Sequence, residues 1–262
     1  MDYTILIPNS EGKQSGGDDY LTYRFVSNLK KYNEFLTLQK SRELILDELR
    51  RVIRDTPQEQ LASFFDLKGD NLKQAIVSMN SIRDEECMPT ISRMSGVMYK
   101  AIDYEGMDLK KRTRFDKNVI IVDGLFGLLK PQDMIPNYKC KVSMRLFDKT
   151  LAKYWSEELK GFLKYICKDS VVIDFLPQSH REIIDKEEGL NRIKITFAKK
   201  DPSSESGFKQ EGHLSKPLKG EFILYLLEFE KITKDDIKKF KHSLGHTFSK
   251  EHSKEDEYIF IK

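Results

Sequence analysis

The residues best placed for chemistry are lysines beside glycines at the ends of apolar runs. IPNSEGKQSGG (7–17) carries Lys13, DGLFGLLKP (123–131) carries Lys130, and ITFAKK (195–200) ends in Lys199 and Lys200. A glycine turn bares backbone N–H groups and an ammonium adds charge, so the combination suits a phosphate. Glycines that merely permit tight turns would leave the same trace. GKQSGG lacks the GxxxxGK[ST] spacing, which argues against nucleoside triphosphate hydrolysis. A lysine whose pKa is lowered by burial or by nearby cations is also an amine nucleophile; Lys13 and Lys199 are the candidates for that role.

Other reactive types give less. Cys87, Cys140 and Cys167 lie far apart without a CxxC, so neither a disulfide framework nor a thiolate metal site is expected. His242, His246 and His252 stand as H-x3-H-x5-H, but Gly245 interrupts them and the surroundings are lysine-rich, so no metal site is expected. No Ser-His-Asp spacing is recognisable, and Ser179 beside His180 carries no weight, since sequence neighbours seldom face one another. No cofactor motif is found.

The elements that must position these groups alternate unevenly. β-Branched runs at 3–8, 118–123, 139–146, 171–176, 192–199 and 257–262 read as strands, and those at 4–7, 119–122 and 171–173 as central ones. Helical spacing runs through 18–55, opens again at Thr56-Pro57, and recurs at 71–83, 90–102, 148–167, 179–187, 216–230 and 233–241. The expected fold is mixed α/β, a single domain over 1–262 with helices around a central mixed sheet. If strands 3–8, 118–123, 171–176 and 192–199 are parallel neighbours, the loops after them converge at one sheet edge, where α/β proteins bind ligands. Asp201 to Gly207 reads as a loop. In TPQEQLASFFDLKGDNLKQAIVSM (56–79), Leu67-Lys68-Gly69-Asp70 joins two helices. That matches either a plain αα turn or a helix–hairpin–helix gripping a DNA backbone.

The chain has 262 residues, 39% hydrophobic and 11% aromatic, in the range of a globular protein. A net charge of +3 conceals 45 basic and 42 acidic residues, so single-sign faces are possible without a large total. No apolar run approaches the ~20 residues of a membrane helix, and MDYTILIP does not read as a signal peptide. A reduced, cytoplasmic protein is expected.

DGLFGLLKPQDMIPNYK (123–139) resembles the most specific block of the YaaA family of peroxide-stress proteins, roughly SGLYGLLRPLDxIxPYR, with Asp123, Phe126, Lys130 and Tyr138-Lys139 at its variable points. ILIPNSEGK (5–13), SRMSGVMYKAI (92–102), LAKYWSEEL (151–159), ITFAKK with KGEFILYLLE (219–228), and FKHSLGHTF (240–248) resemble further blocks. DFLPQSHR departs from the family's NLAS segment, and an insertion near 201–215 splits the AKKARG run, which marks a divergent member. The resemblance implies an oxidative-stress protein that limits iron-linked damage, with a helix–hairpin–helix over about 56–83 beside a basic cleft, binding duplex DNA with little sequence preference. It points to Lys68, Gly69, Asp70, Asn71 and Lys73 on one strand's backbone, and to Lys13, Lys130, Tyr138, Lys139, Lys199 and Lys219 around the cleft. A monomer is favoured. The alternative is a DNA lyase or base-processing enzyme using Lys13 or Lys199, with Phe126 and Tyr138 stacking on an extruded base. Simple packing of Leu125, Phe126 and Leu128 remains open.

Overall fold

In the computed structural model, all residues are described except 186, 187, 205 and 213. The fully apolar runs build the centre. Strand β1 (Asp2–Pro8) buries Ile5, Leu6 and Ile7 completely, and β2 (Val119–Asp123) is buried along its whole length. Chains covered on both faces favour such runs of β-branched residues. The sheet continues with β3 (Gly127–Leu129), β4 (Ser170–Asp174), β5 (Arg192–Lys200), β6 (Phe208–Gln210), β7 (Thr247–Phe248) and β8 (Glu257–Ile261). Its order is β7-β8-β5-β4-β1-β2-β3, with β6 beside β5. The pairs β2–β1, β1–β4, β4–β5 and β5–β8 are parallel, while β3, β6 and β7 pair antiparallel. The sheet is mixed, as expected, and the four strands thought to be neighbours are neighbours. From β1 the chain leaves toward β2, and from β4 toward β5 on the other side, so the switch point lies between β1 and β4.

Several elements differ from expectation. Residues 18–55 are not helical throughout: Asp18–Thr22 is a strand in a small sheet with Glu86–Pro89 and Met134–Ile135, and the long helix occupies only Gln39–Asp55. Polar residues from Ser27 to Asn33 break the apolar stripe there. Segment 139–146 does not form the expected strand. Only Arg145–Leu146 pairs, with Lys149–Thr150, because this stretch packs its backbone against Gly124 instead of a sheet edge. Segment 148–167 splits at Gly161, where φ is 77. The helix expected at 179–187 spans only Gln178–Arg181, and its last two residues lie outside the described ones, as do 205 and 213 of the insertion.

The turn after β2 is tight, as expected. Gly127 sits at φ 71, and a Cβ there would lie 2.7 Å from the Trp155 ring, whose Nε1 donates to Gly124 O at 2.8 Å. Buried Arg42, from the long helix, donates to Phe126 O (3.0 Å), Leu128 O (2.7 Å) and Asn33 Oδ1 (2.6 Å). These bonds satisfy carbonyls the turn leaves unpaired. Leu125, Phe126 and Leu128 are core residues, with Phe126 only 1% exposed.

The hairpin also corrects the expected direction of Lys130. Because β3 runs antiparallel to β2, with Leu129 opposite Ile121, Lys130 is carried back to the start of β2. Its amine donates to Lys117 O (2.6 Å) and Val119 O (2.9 Å), at the far edge of the sheet from the β2 carboxyl end. Burial lowers its pKa to about 8, against the pull of Asp133. Lys130→Ala should therefore destabilise the fold by about 1–3 kcal/mol, since two carbonyls lose their partner. Lys139→Ala, at an exposed site, should stay within about 0.5 kcal/mol. Urea unfolding of both variants checks this, and equal stabilities would contradict it.

Candidate functional site

A cleft of about 820 Å³ opens at the carboxyl edge of the sheet, at the switch point. Segment 8–12 after β1, segment 176–181 after β4, part of β5 and the first turns of helix Ser215–Leu226 line it. Strands β4 and β2, on either side of β1, end in aspartates, and each aspartate serves the loop it starts. Asp174, ending β4, accepts Leu176 N at 2.7 Å and Arg181 Nε at 2.8 Å. Asp123, ending β2, accepts Leu125 N (2.7 Å) and Phe126 N (2.9 Å) on one oxygen; its other oxygen accepts Asn9 Nδ2 (2.6 Å) and the Tyr138 hydroxyl. Such side chain to backbone bonds fix the turn.

The Asp123 carboxylate has further consequences. A carboxylate facing four donors acts as an acceptor only, so the Asn9 amide must turn its NH2 toward it. The Asn9 oxygen then faces His180 Nε2 at 2.9 Å, which must carry the proton. Burial lowers the His180 pKa to about 4; nearby Asp123 pulls it up and Lys219 pushes it down. At neutral pH the ring is thus uncharged, and its Nδ1 lone pair points toward Ser179 Oγ at 3.2 Å. Contrary to the expectation from sequence, Ser179 and His180 do face one another, because the helix start at Gln178 bends the chain there.

Lys219 borders this cleft and donates to Phe175 O at 2.8 Å. Burial lowers its pKa to about 8. Lys13 opens instead on a smaller adjoining cavity of about 240 Å³, bordered also by Asp66, Lys139 and Lys141. Its ammonium bonds Ser10 O (2.9 Å) and lies 4.1 Å from the centre of the Tyr138 ring, and burial holds its pKa at about 8. Lys139 is exposed, with its amine on Glu11 O at 3.2 Å. Glu11 borders both cavities.

The structure does not bring all the expected residues together. Lys199 is exposed at the far end of β5, opposite Lys209 of β6, and borders neither cavity. Lys130 lies at the opposite sheet edge. Tyr138 is fully buried with its hydroxyl on Asp123, and Phe126 packs on it with ring centres 5.0 Å apart. Neither ring offers a face to an extruded base. Lys68, Gly69, Asp70, Asn71 and Lys73 are exposed where helix Gln58–Phe65 meets helix Gly69–Ser81. The histidines are packing groups. His242 Nε2 meets Glu221 at 3.0 Å, His246 Nε2 meets Glu211 at 2.9 Å, and His252 Nδ1 meets Ser249 Oγ at 2.8 Å. No metal-holding cluster of three His, Cys, Asp or Glu residues occurs among the described residues. Among them, no helix is long and apolar enough to cross a membrane.

Comparison with known proteins places this architecture. A family profile described as "Peroxide stress protein YaaA" matches residues 4–252. The chain belongs to that family. A UPF0246 protein of Corynebacterium glutamicum is 27% identical over 251 residues, 92% of either chain. UPF0246 proteins of Fusobacterium nucleatum (22% over 215 residues; 82% of this chain, 85% of the relative) and Malacoplasma penetrans (24% over 217; 80% and 84%) are also similar. Asn9, Asp123 and His180 were missed as site residues. For Asn9 and Asp123 the available signal was position, a polar residue directly at or after a central strand; His180, in the helix Gln178–Arg181 beyond β4, carried no such signal.

The lowered His180 pKa has a stability consequence. Between pH 6.5 and about 4 the unfolded chain takes up a proton that the folded one refuses, so stability falls as pH drops through that window. His180→Gln should shrink the fall, leaving the part due to His242 and His246, also lowered by burial. Melting temperature against pH measures it; an unchanged profile would refute the assignment.

Proposed function

We infer that this YaaA-family protein limits iron-linked oxidative damage by binding DNA through its phosphates, with the 66–73 turn as the gripping element. The observation that carries the reading is that the turn and three lysines meet at one place. Asp66 and Leu67 border the same small cavity as Lys13, Lys139 and Lys141. Leu67 packs on the core and anchors the turn, while Asp66 takes a left-handed conformation at φ 53. Gly69, at φ 56, has open space where a side chain would be, so a backbone phosphate can approach closely. The ion pairs of Lys141 with Asp66 (2.9 Å) and of Lys73 with Asp70 (3.2 Å) are exposed and weak, and phosphates would replace the carboxylates as partners. Iron capture by thiolates fits poorly, since burial raises the Cys87 thiol to about 12 and pushes the Cys140 thiol well above its usual range.

A second reading, a DNA-processing enzyme, is favoured by one observation. The Lys13 amine beside the small cavity is held near 8, within the range of an imine-forming lysine. Reduction with borohydride on an abasic duplex would trap Lys13 covalently if this holds. Salt-reversible binding without a trapped species would exclude it.

The binding reading makes a sharper demand. Lys68→Glu with Lys73→Glu should weaken binding to a random-sequence duplex and reduce the slope of log affinity against log salt by about one per lost phosphate contact. A folded double variant with unchanged affinity and slope would reduce 56–79 to a plain αα turn.

A further inference from the structure

We propose that the large cleft is a carbonyl-binding site, in which the Lys219 amine forms an imine with an aldehyde bearing an anionic group, beside the orientation-locked imidazole of His180. The inference does not depend on DNA binding, and it concerns a different lysine from the enzyme reading above.

Burial holds three lysines near 8, namely Lys13, Lys130 and Lys219, and their surroundings separate them. Lys130 spends its amine on two carbonyls away from either cavity. Lys13 reaches a cavity of about 240 Å³ and lies against the Tyr138 ring. Lys219 reaches about 820 Å³, within the ~300–1,000 Å³ of small-molecule sites. Among the described residues its amine has one acceptor, Phe175 O, and no carboxylate at ion-pair distance. In the neutral amine one N–H and the lone pair remain for a ligand.

The two carboxylates that border the cleft are both taken up, Glu211 by His246 at 2.9 Å and Glu11 by Lys141 at 3.8 Å, and the rest of the cleft suits an anionic carbonyl compound. Lys216 lies in the first turn of helix Ser215–Leu226, which carries no acidic residue, and Lys219 follows directly after it. Cations are disfavoured at that end of a helix, so the backbone dipole favours both a neutral amine and an incoming anion. Arg181 is committed to Asp174, and Lys194 to Glu257 at 2.7 Å, which leaves exposed Lys216 to meet the anion. His180 lies close enough to feel the Lys219 charge.

The chemistry is self-contained. The unprotonated Lys219 amine attacks the carbonyl carbon, the C=O π bond breaks, and an N–H proton passes to the oxygen to give a carbinolamine. Its hydroxyl then takes up a proton from solvent and leaves as water, and the nitrogen lone pair forms the C=N bond of a protonated imine. Neutral His180 accepts the carbinolamine O–H at Nδ1 in place of Ser179. It acts as a positioning residue.

Pyridoxal 5′-phosphate, followed by borohydride and peptide mapping of the whole chain, tests the proposal. At neutral pH Lys219 should be labelled about tenfold or more faster than exposed Lys139 and Lys199, because far more of its amine is free. Pyridoxal without the phosphate should lose most of that advantage at Lys219 and little elsewhere, as should the phosphate probe with Lys216→Ala. His180→Gln should slow labelling at Lys219 alone. Labelling of Lys219 no faster than that of Lys139 and Lys199 overturns the proposal. So does a folded Lys219→Met variant with the parent's fast phase intact; if that variant does not fold, the relative rates in the parent chain decide.

Discussion

The carboxylate of Asp123 organises the site more than any other single group. It is fully buried, and it repays its desolvation by accepting from two backbone amides, the Asn9 amide and the Tyr138 hydroxyl. The donors come from three places: adjacent amides of the turn itself, Asn9 after β1, and Tyr138. One buried charge therefore fixes the turn after β2, the exit of β1 and the end of segment 134–138. Through Asn9 it also decides which nitrogen of His180 bears the proton. The state of the imidazole that follows β4 is thus set two hydrogen bonds away, at the end of β2.

Buried arginines play the matching role for loops. Arg42 gathers the carbonyls of the 126–128 turn from one side. Arg93, also fully buried, donates to Gln14 O at 2.6 Å, Gly16 O at 2.7 Å and Glu86 O at 2.9 Å, pinning the glycine-rich loop that follows β1. A guanidinium holds several fixed donors in one plane, so it satisfies several carbonyls that irregular backbone leaves unpaired. Lys13 is placed at the small cavity by this anchoring, since Lys13 itself bridges Met94, next to Arg93.

Lysine number and spacing say little about use. Of the five lysines singled out, Lys13 and Lys139 border the small cavity and Lys219 the large cleft, whereas Lys130 is sealed under a hairpin and Lys199 stands outside both cavities. Position along an antiparallel return, and not local composition, turns Lys130 away from the cleft. The cleft is consequently mixed in charge, with Glu11 and Glu211 among its cations.

Much was legible before any coordinates. The buried runs at 4–7, 119–122 and 171–173 marked the central strands, because only a strand covered on both faces favours unbroken β-branched residues. The YaaA family membership followed from the same segments and blocks; the parallel order entered only as the condition for the loops to meet at one edge, and pairing in the fold supplied it. Local sequence could not give the antiparallel return that turns Lys130 away, the burial of Tyr138 and Phe126, or the bond from Asn9 to His180, which lie 171 residues apart. Those depend on register and on long-range packing. A side chain's direction in a hairpin reverses with strand sense, and an imidazole's proton is placed by partners that only the folded chain brings together.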